Sequence, residues 1–321
     1  MNDKIEKNFK NLNQQVDILK NKGLEIRDEN YAKKVLLREN YFFLMGYRHL
    51  FMEPGDKKFK AGTKFEELYS LFLFDRSIRN VLFKYILVIE NYLKSIASYQ
   101  LSKKYGYRER DYLKAKNFTT DPAKQAQLND LLKKMKRQIR VNGAQHSATL
   151  HYVSNYGYIP LWILVKVLSF GIVSEMYSIL KKEDQKDIAD IYEIDPDDLT
   201  IYLPILANYR NLCAHEDILF ENKTQKVIDD TIYHQLLDIP KEEDVYTQGK
   251  NDLFCLIIVM KQLLRYDDFK NMSVELDHVI DTLNFNIRTI SINSVLDRMG
   301  FPQNWKNLAN IERSRETNEV K

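Results

Sequence analysis

The feature that most constrains this sequence is a long stretch without helix-breaking residues. Between Phe65 and Tyr105 the chain contains neither Gly nor Pro, and the whole chain has only 10 Gly and 7 Pro. Because these residues punctuate turns, their scarcity favours long helices over many short strands. Large apolar residues recur in the stretch at intervals of three and four, which indicates one long helix or a closely joined pair. They are Leu71, Phe74, Ile78, Leu82, Tyr85, Ile89, Tyr92 and Ile96.

Helical spacing of apolar residues recurs in residues 30–52. Residues 161–168 are apolar on nearly all sides, and 161–168 and 253–264 are expected to be buried helices. The sequence therefore predicts an all-α fold. A few charges interrupt the long apolar stretch, and we expect such side chains to emerge at the edge of the helix. They are Asp75, Arg76, Arg79 and Glu90.

Shifts in composition divide the chain into three predicted parts. The first is an N-terminal helical segment (1–60), and the second is a helical core (61–237) with an inserted basic lobe at about 99–145. The third is a C-terminal helical region (250–321), reached through a segment rich in charged and turn-forming residues.

The overall composition fits a globular protein, with 44% hydrophobic and 29% charged residues. Cys213 and Cys255 form no CxxC pair, so neither a disulfide framework nor a zinc site is expected. The N-terminus lacks the apolar core of a secretion signal. The longest apolar runs fall short of the ~20 residues that a membrane span needs. We therefore expect a cytoplasmic protein that does not enter the membrane.

The basic lobe is the main asymmetry of charge. From Tyr99 to Arg140 twelve Lys or Arg stand against four Asp or Glu, so this stretch carries +8 in a chain of net charge +3. Such a concentration suggests a surface for phosphate-bearing partners, although a solvated helix face is the plain alternative. The candidate RNA-binding residues are Lys103, Lys104, Lys133, Lys134, Lys136, Arg137 and Arg140.

Polar residues near the end of the core suggest a site. If residues 204–220 form one helix, then Asn208, Asn211 and His215, spaced i, i+3 and i+7, lie along one polar seam. The adjacent apolar stripe would contain Ile205, Tyr209, Leu212, Cys213, Leu219 and Phe220. The seam is either a catalytic edge or an ordinary polar edge of a helix.

Arg210 does not fall on this seam. On an ideal wheel it lies roughly 140° from His215 and closer to Asp217. A surface ion pair between Arg210 and Asp217 is one expectation. The other is that an irregular helical turn or a second subunit brings Arg210 to His215.

The motif resembles that of a known class of ribonucleases. The segment "NYRNLCAH" matches the R-N-x-x-x-H form of the HEPN motif. Four longer blocks resemble the signature blocks of the Abi-like (abortive infection) proteins and occur in the same order, over about residues 30–220. The blocks are "NYFFLMGY", "LYSLFLFDRSIRNVLFKYILVIENYL", "PLWILVKVLSFGIVSEMYSIL" and "YRNLCAHEDILF".

This resemblance implies a HEPN-like helical bundle with additional helices at both ends. It implies a phage-defence endoribonuclease that needs no metal and no cofactor. His215 would act as general acid or base, Arg210 would bind phosphate oxygens, and Asn211 would orient His215 or the phosphate, with Asn208 as a supporting polar group. HEPN domains pair, so the resemblance also implies a homodimer in which two motifs face each other.

The implied partner is RNA, either single-stranded or a structured small non-coding RNA. Two positions depart from related sequences: Glu216 stands where many have a second His, and Asp217 stands where a nucleotidyl-transferring branch has Tyr. The alternative function is a non-catalytic RNA-binding protein that uses the same fold as a platform.

Overall fold

The computed structural model of the chain describes residues 8–143 and 145–312, and helices dominate it. The N-terminal helices are α1 (Leu12–Asn21), α2 (Glu29–Glu39), α3 (Tyr41–Met45), α4 (Phe65–Tyr105) and α5 (Glu109–Tyr112). The middle helices are α6 (Gln125–Asn142), α7 (Ser147–Tyr156), α8 (Leu161–Val167), α9 (Phe170–Ser178) and α10 (Lys182–Ala189). The last are α11 (Pro196–Ala214), α12 (Ile232–Leu236), α13 (Leu253–Leu263), α14 (Tyr266–Asn286) and α15 (Ile292–Met299). The predicted all-α class is confirmed.

Short elements complete the architecture. The 3-10 turns cover His49–Phe51, Ala115–Asn117, Pro122–Lys124, Asp190–Tyr192 and Trp305–Asn310. Strands β1 (Lys241–Glu242) and β2 (Val245–Tyr246) form an antiparallel hairpin in which Lys241 pairs with Tyr246. This hairpin lies within the charged segment that precedes the predicted C-terminal region.

Helix α4 is the centre of the molecule, and it is one continuous helix. Glu66 and Glu67 lie in its first turn and Lys103 and Lys104 in its last. Acidic residues near the N-terminus and basic residues near the C-terminus interact favourably with the helix dipole and stabilise the helix. Gly106 follows with a φ of 93°, a left-handed conformation that glycine adopts without strain, and ends the helix. At 1.5 Å per residue α4 is roughly 60 Å long. It packs against α8, α11 and α14.

The charges inside the apolar stretch correct the sequence-based expectation. Asp75, Arg79 and Glu90 are buried and do not emerge at the helix edge. Asp75 pairs with Arg79, and Glu90 accepts a hydrogen bond of 2.6 Å from Lys94, each four residues further along α4. A buried charge is tolerated when it is paired and hydrogen-bonded, which explains how the core accommodates these residues.

The C-terminal helices pack along α4. Lys84 and the Tyr85 hydroxyl both donate hydrogen bonds to Glu275 of α14, at 2.6 and 2.7 Å. Near the start of α4, Glu67 accepts hydrogen bonds from the backbone amides of Arg288 and Thr289, just after α14 ends. The division of the chain into three parts stays a prediction.

Within residues 8–143 and 145–312, no helix combines the length and the apolar character that crossing a membrane requires.

Candidate functional site

Helix α11 presents the motif and ends earlier than the sequence predicts. Its last residue is Ala214, and His215 caps it by donating its backbone N–H to the carbonyl of Asn211 at 3.0 Å. Glu216 has a φ of 57°, and the amide of Asp217 reaches back to the carbonyl of Leu212 at 3.1 Å. This pattern is the Schellman helix ending, here with Glu in the left-handed position that Gly usually fills.

The expectation of one helix over 204–220 is therefore wrong at its C-terminal end. Leu219 and Phe220 are buried as predicted, but they belong to the loop after α11 and not to the helical stripe. The helix also begins earlier, at Pro196, where Asp195 caps it by accepting a hydrogen bond from the amide of Asp197. The early end places His215 at the junction of helix and loop.

The predicted polar seam is exposed. The side chains of Asn208 and Asn211 project from α11 into solvent, and His215 is exposed at the end of the helix. None of the three side chains has a hydrogen bond or ion pair within the described part of the chain. Amide and imidazole groups without internal partners are free to bind a ligand.

Arg210 lies on another face of α11, turned towards α4. Its Nε atom is 3.8 Å from Oε2 of Glu90, and its guanidinium stands 5.7 Å from the centre of the Phe83 ring. The ion pair with Asp217 that the wheel suggested is therefore absent from the described structure, because the helix ends before Asp217. Within one chain, no contact joins Arg210 to His215 among the described residues.

The pairing of Arg210 is incomplete. Its Nε and Oε2 of Glu90 are both buried without a hydrogen bond, and 3.8 Å is too long for one. Its two terminal nitrogens donate no hydrogen bond within the described residues, and about a third of the side chain (32%) is exposed. The guanidinium fork is thus available to a phosphate or to a second chain.

A buried network holds the loop that follows His215. Asp75 accepts hydrogen bonds from the amides of Leu219 (3.1 Å) and Phe220 (2.8 Å), and from the Tyr47 hydroxyl at 2.7 Å. Arg79 pairs with Asp75 and donates to the backbone carbonyl of Asp217 at 3.0 Å. Burial raises the pKa of Asp75, and Arg79 opposes that rise by stabilising the ionised form.

This network was not predicted from the sequence. A signal was present, because Asp75 and Arg79 are four residues apart inside an apolar stretch, where neighbouring helix positions allow an ion pair. The loop itself carries no matching signal, since it contributes backbone amides and a carbonyl. Three of the segments that resembled Abi-like blocks meet at this network, through Tyr47, Asp75 and the residues after His215.

An open cleft of about 1150 Å³ lies beside His215. Its walls come from α2, α3, the start of α4 and the loop after α11. Five cationic side chains line it, against three acidic ones, Glu39, Glu216 and Asp217. The cations are Lys22, Arg38, Arg48, Lys57 and Arg76.

The predicted basic lobe lies at the far end of α4. Lys103 and Lys104 are in the last turn of α4, and Met135 of α6 lines a small cavity with Leu101 and Tyr105 of α4. The C-terminal half of α4 therefore brings together the two groups of basic residues from α4 and α6. From Arg79 to Lys104 the helix rises roughly 40 Å, so the lobe and His215 are widely separated.

The lobe contains both paired and free cations. Lys104 pairs with Asp184 at 2.6 Å, and Lys134 pairs with Asp130 and Glu175 at 2.7 and 2.8 Å. The hydrogen bond that Lys104 donates to Asp184 raises the pKa of the Lys104 ammonium group. The other candidate residues are exposed, and none of them has an ion pair in the described structure. They are Lys103, Lys133, Lys136, Arg137 and Arg140.

Aromatic side chains lie close to this end of α4. The Tyr107 ring is 5.6 Å from that of Tyr158 and 5.9 Å from that of Trp162, and the Arg108 guanidinium stands 5.0 Å from the Tyr158 ring centre. Tyr107 and Trp162 are exposed. Aromatic rings among cations are typical of surfaces that bind unpaired nucleotides.

Two other kinds of reactive group were considered from the sequence, a cysteine nucleophile and a metal site, and the described structure supports neither. Burial raises the pKa of Cys213 to about 12, so the thiolate that a nucleophile requires is suppressed. Across residues 8–143 and 145–312, no three His, Cys, Asp or Glu side chains converge in the manner of a metal site.

Comparison with known proteins places these features in a family. A family model described as Abi-like protein matches residues 34–221, which is more than half of the chain. No curated protein and no solved structure matches it. The matched range begins in α2 and ends within the loop after α11. It contains the buried network, the polar seam and every residue that lines the cleft except Lys22.

Proposed function

The chain belongs to the Abi-like protein family, and from that premise we propose that it is a metal-independent endoribonuclease with His215 as its proton-transfer group. Membership itself supports a role in abortive infection, the phage defence for which the family is named. The observation that carries the finer proposal is the position of His215. It is exposed at the end of α11, on the wall of a cleft in which cations outnumber acids.

The chemistry uses the nucleophile that RNA itself carries. The 2′-oxygen attacks the adjacent phosphorus, the bond from phosphorus to the 5′-oxygen breaks, and a proton passes from the 2′-oxygen to the departing 5′-oxygen. The products are a 2′,3′-cyclic phosphate and a 5′-hydroxyl. An imidazole can take or give this proton near neutral pH, and Asn211 is one turn away on the same seam to orient it or the phosphate.

Arg210 completes the site through a second copy of the chain. In one chain its guanidinium faces Glu90 and Phe83 and makes no contact with His215. A homodimer with the two α11 seams facing across a two-fold axis would offer the terminal nitrogens of Arg210 to a phosphate held by the partner's seam. Fixed donors of this kind stabilise charge that develops on phosphate oxygens.

A non-catalytic RNA-binding protein is the second candidate. The observation that favours it is the same placement of Arg210 away from His215, because one imidazole alone makes a weak catalytic site. Exposed cations of the lobe, such as Lys133 and Arg137, support RNA binding in both cases.

The direct test is cleavage of single-stranded RNA in the presence of EDTA. We expect the wild-type protein to release fragments with 2′,3′-cyclic phosphate ends. His215→Ala should lower the rate by about 10²–10⁴-fold, the usual contribution of a positioned acid or base. His278→Ala, which removes an exposed histidine from α14, is the matched control and should cleave normally. Equal rates for wild type and His215→Ala would rule out the catalytic assignment.

The composite site has its own test. Arg210→Ala and His215→Ala should each be inactive alone. If the site spans two chains, a mixed dimer of the two variants contains one site with both residues intact, so mixing restores part of the activity. If both residues act within one chain, mixing restores nothing. Light scattering on the same samples reports whether dimers form.

A further inference from the structure

We propose that Phe42 and Phe43 form a stacking subsite for unpaired nucleotides in the cleft beside His215. This rests on the proposed function, because it specifies what the nuclease recognises next to its proton-transfer group. The substrate class it implies is single-stranded RNA, whose bases are free to stack on protein rings. The two phenylalanines lie outside both the R-N-x-x-x-H segment and the basic lobe.

The two rings are exposed in a way that folding does not require. Phe42 is 76% exposed and Phe43 60%, although both lie on α3 in a protein with a large apolar core. Their neighbours Leu44 and Met45 are buried, so α3 is anchored by its other face. The ring centroids are 6.1 Å apart at an angle of 67°. Adjacent exposed aromatic residues on an anchored helix indicate a binding surface.

The charges around the rings favour a polyanion. Arg76 is already paired with Glu39 at 2.6 Å, which neutralises both. Arg38, Lys57 and Lys22 line the same cleft and have no ion pair within the described residues. Arg48 donates to the Met45 carbonyl at 2.6 Å and has no acidic partner there. Rings flanked by uncompensated cations match a ligand that carries both bases and phosphates.

Close contacts connect the ring-bearing wall of the cleft to the catalytic wall. Ile218, three residues after His215, packs so tightly on Gly46 that an added Cβ atom at position 46 would lie 2.5 Å from its Cδ1 atom. One residue further, Tyr47 donates to Asp75, which also holds the amides of Leu219 and Phe220. The stacking rings and His215 are therefore attached to one rigid unit. A base on the rings is therefore held close to the backbone of His215 at a constant distance.

Two other occupants of the cleft are less consistent with its composition. A second copy of this chain or an apolar peptide would cover the rings but would leave at least three unpaired cations in the interface. Burying unpaired charges is unfavourable. Duplex RNA has its bases stacked within the helix, so it offers the rings nothing to bind.

The test is a binding measurement on the full chain carrying His215→Ala, so that cleavage does not interfere. The probe is a fluorescently labelled oligouridine, compared with a duplex of similar length, by anisotropy. We expect Phe42→Ala/Phe43→Ala to weaken binding of the single strand about 10- to 100-fold, from the loss of two stacking rings. Phe285→Ala is the matched control, because Phe285 is 77% exposed on α14, and it should change affinity less than twofold. Phe42→Trp keeps a flat ring and should retain affinity.

Each outcome decides the proposal. Unchanged single-strand affinity in the double variant overturns it, as does an equal loss for duplex and single strand. A shift from dimer to monomer with unchanged affinity would show that the rings bind a second copy, which also overturns it. In protein with His215 intact, the double variant should raise KM and leave kcat unchanged.

Failure of the nuclease proposal gives a different pattern. If the wild-type protein does not cleave RNA but the double variant loses single-strand binding, the stacking subsite is supported and the nuclease proposal is wrong. If the wild-type protein cleaves RNA and the double variant binds it normally, the nuclease proposal is supported and the stacking subsite is wrong.

Discussion

The two ends of α4 carry the same types of charged residue and use them in opposite ways. Near its start, Asp75 and Arg79 are buried and hold the loop after His215. Near its end, the partly exposed Lys104 pairs with the buried Asp184, while the exposed Lys103 beside it has no ion pair among the described residues. Charge enclosed in the core fixes a backbone, whereas charge left in solvent is available for ligands. The start of α4 therefore holds a loop in place, and its end presents cations to solvent.

The largest effect is expected when the buried pair is broken. Arg79→Met removes the partner of the Asp75 carboxylate and the donor to the Asp217 carbonyl, so an unpaired charge remains in the core. We expect the free energy of unfolding to fall by about 3–5 kcal/mol. At the other end, Lys134→Met removes surface pairs and should change it by less than about 1 kcal/mol. Chemical denaturation measures both, and similar values would remove the contrast between the ends.

The next effect concerns RNA affinity. Replacing Lys133, Lys136, Arg137 and Arg140 together by Glu should weaken RNA binding by at least about 100-fold. It should also make the plot of log affinity against log salt shallower by about 3, from roughly 0.7 per lost contact on a single strand. The folded state should be unaffected, because these side chains are exposed. If the RNA affinity and the salt slope are unchanged, the basic lobe is a solvated helix face that does not bind RNA.

A smaller effect is expected from the length of the RNA. Roughly 40 Å separates the two ends, and a stacked strand advances about 3.4 Å per nucleotide, so about a dozen nucleotides are needed to reach both. Affinity should therefore rise about tenfold across that length for wild type and not for the lobe variant. A smooth increase in both proteins would mean that the ends do not bind one strand together.

The smallest effect is expected inside the motif itself. Cys213→Ala should leave cleavage and RNA binding within about twofold of wild type. Its raised pKa, about 12, and its burial exclude a thiolate role. Stability should fall by about 1 kcal/mol through lost packing. Rates measured before and after thiol alkylation provide a second check, and a large loss of activity would contradict the packing role.

The long-range contacts mark the limit of what the sequence predicts. Helix α4 follows from apolar spacing and the lack of breakers, and the exposed Asn208–Asn211 edge follows from helical geometry. The end of α11 does not follow from the sequence, because Glu216 occupies the left-handed position in which Gly would have indicated the end of a helix. The cleft could not be predicted from the sequence either, because it forms between α3 and the loop after α11, which are about 170 residues apart in the chain.

The Asp75 network limits how the proposed site could be controlled. Two amides beside the site, those of Leu219 and Phe220, are bonded to a carboxylate in the core. Local opening of the loop would remove both amide donors from that buried carboxylate, so these amides should exchange with solvent about as slowly as those of the core. A site this rigid cannot be switched by refolding its own loop. We therefore expect any control of the proposed site to act on access to the cleft or on the proposed pairing of chains.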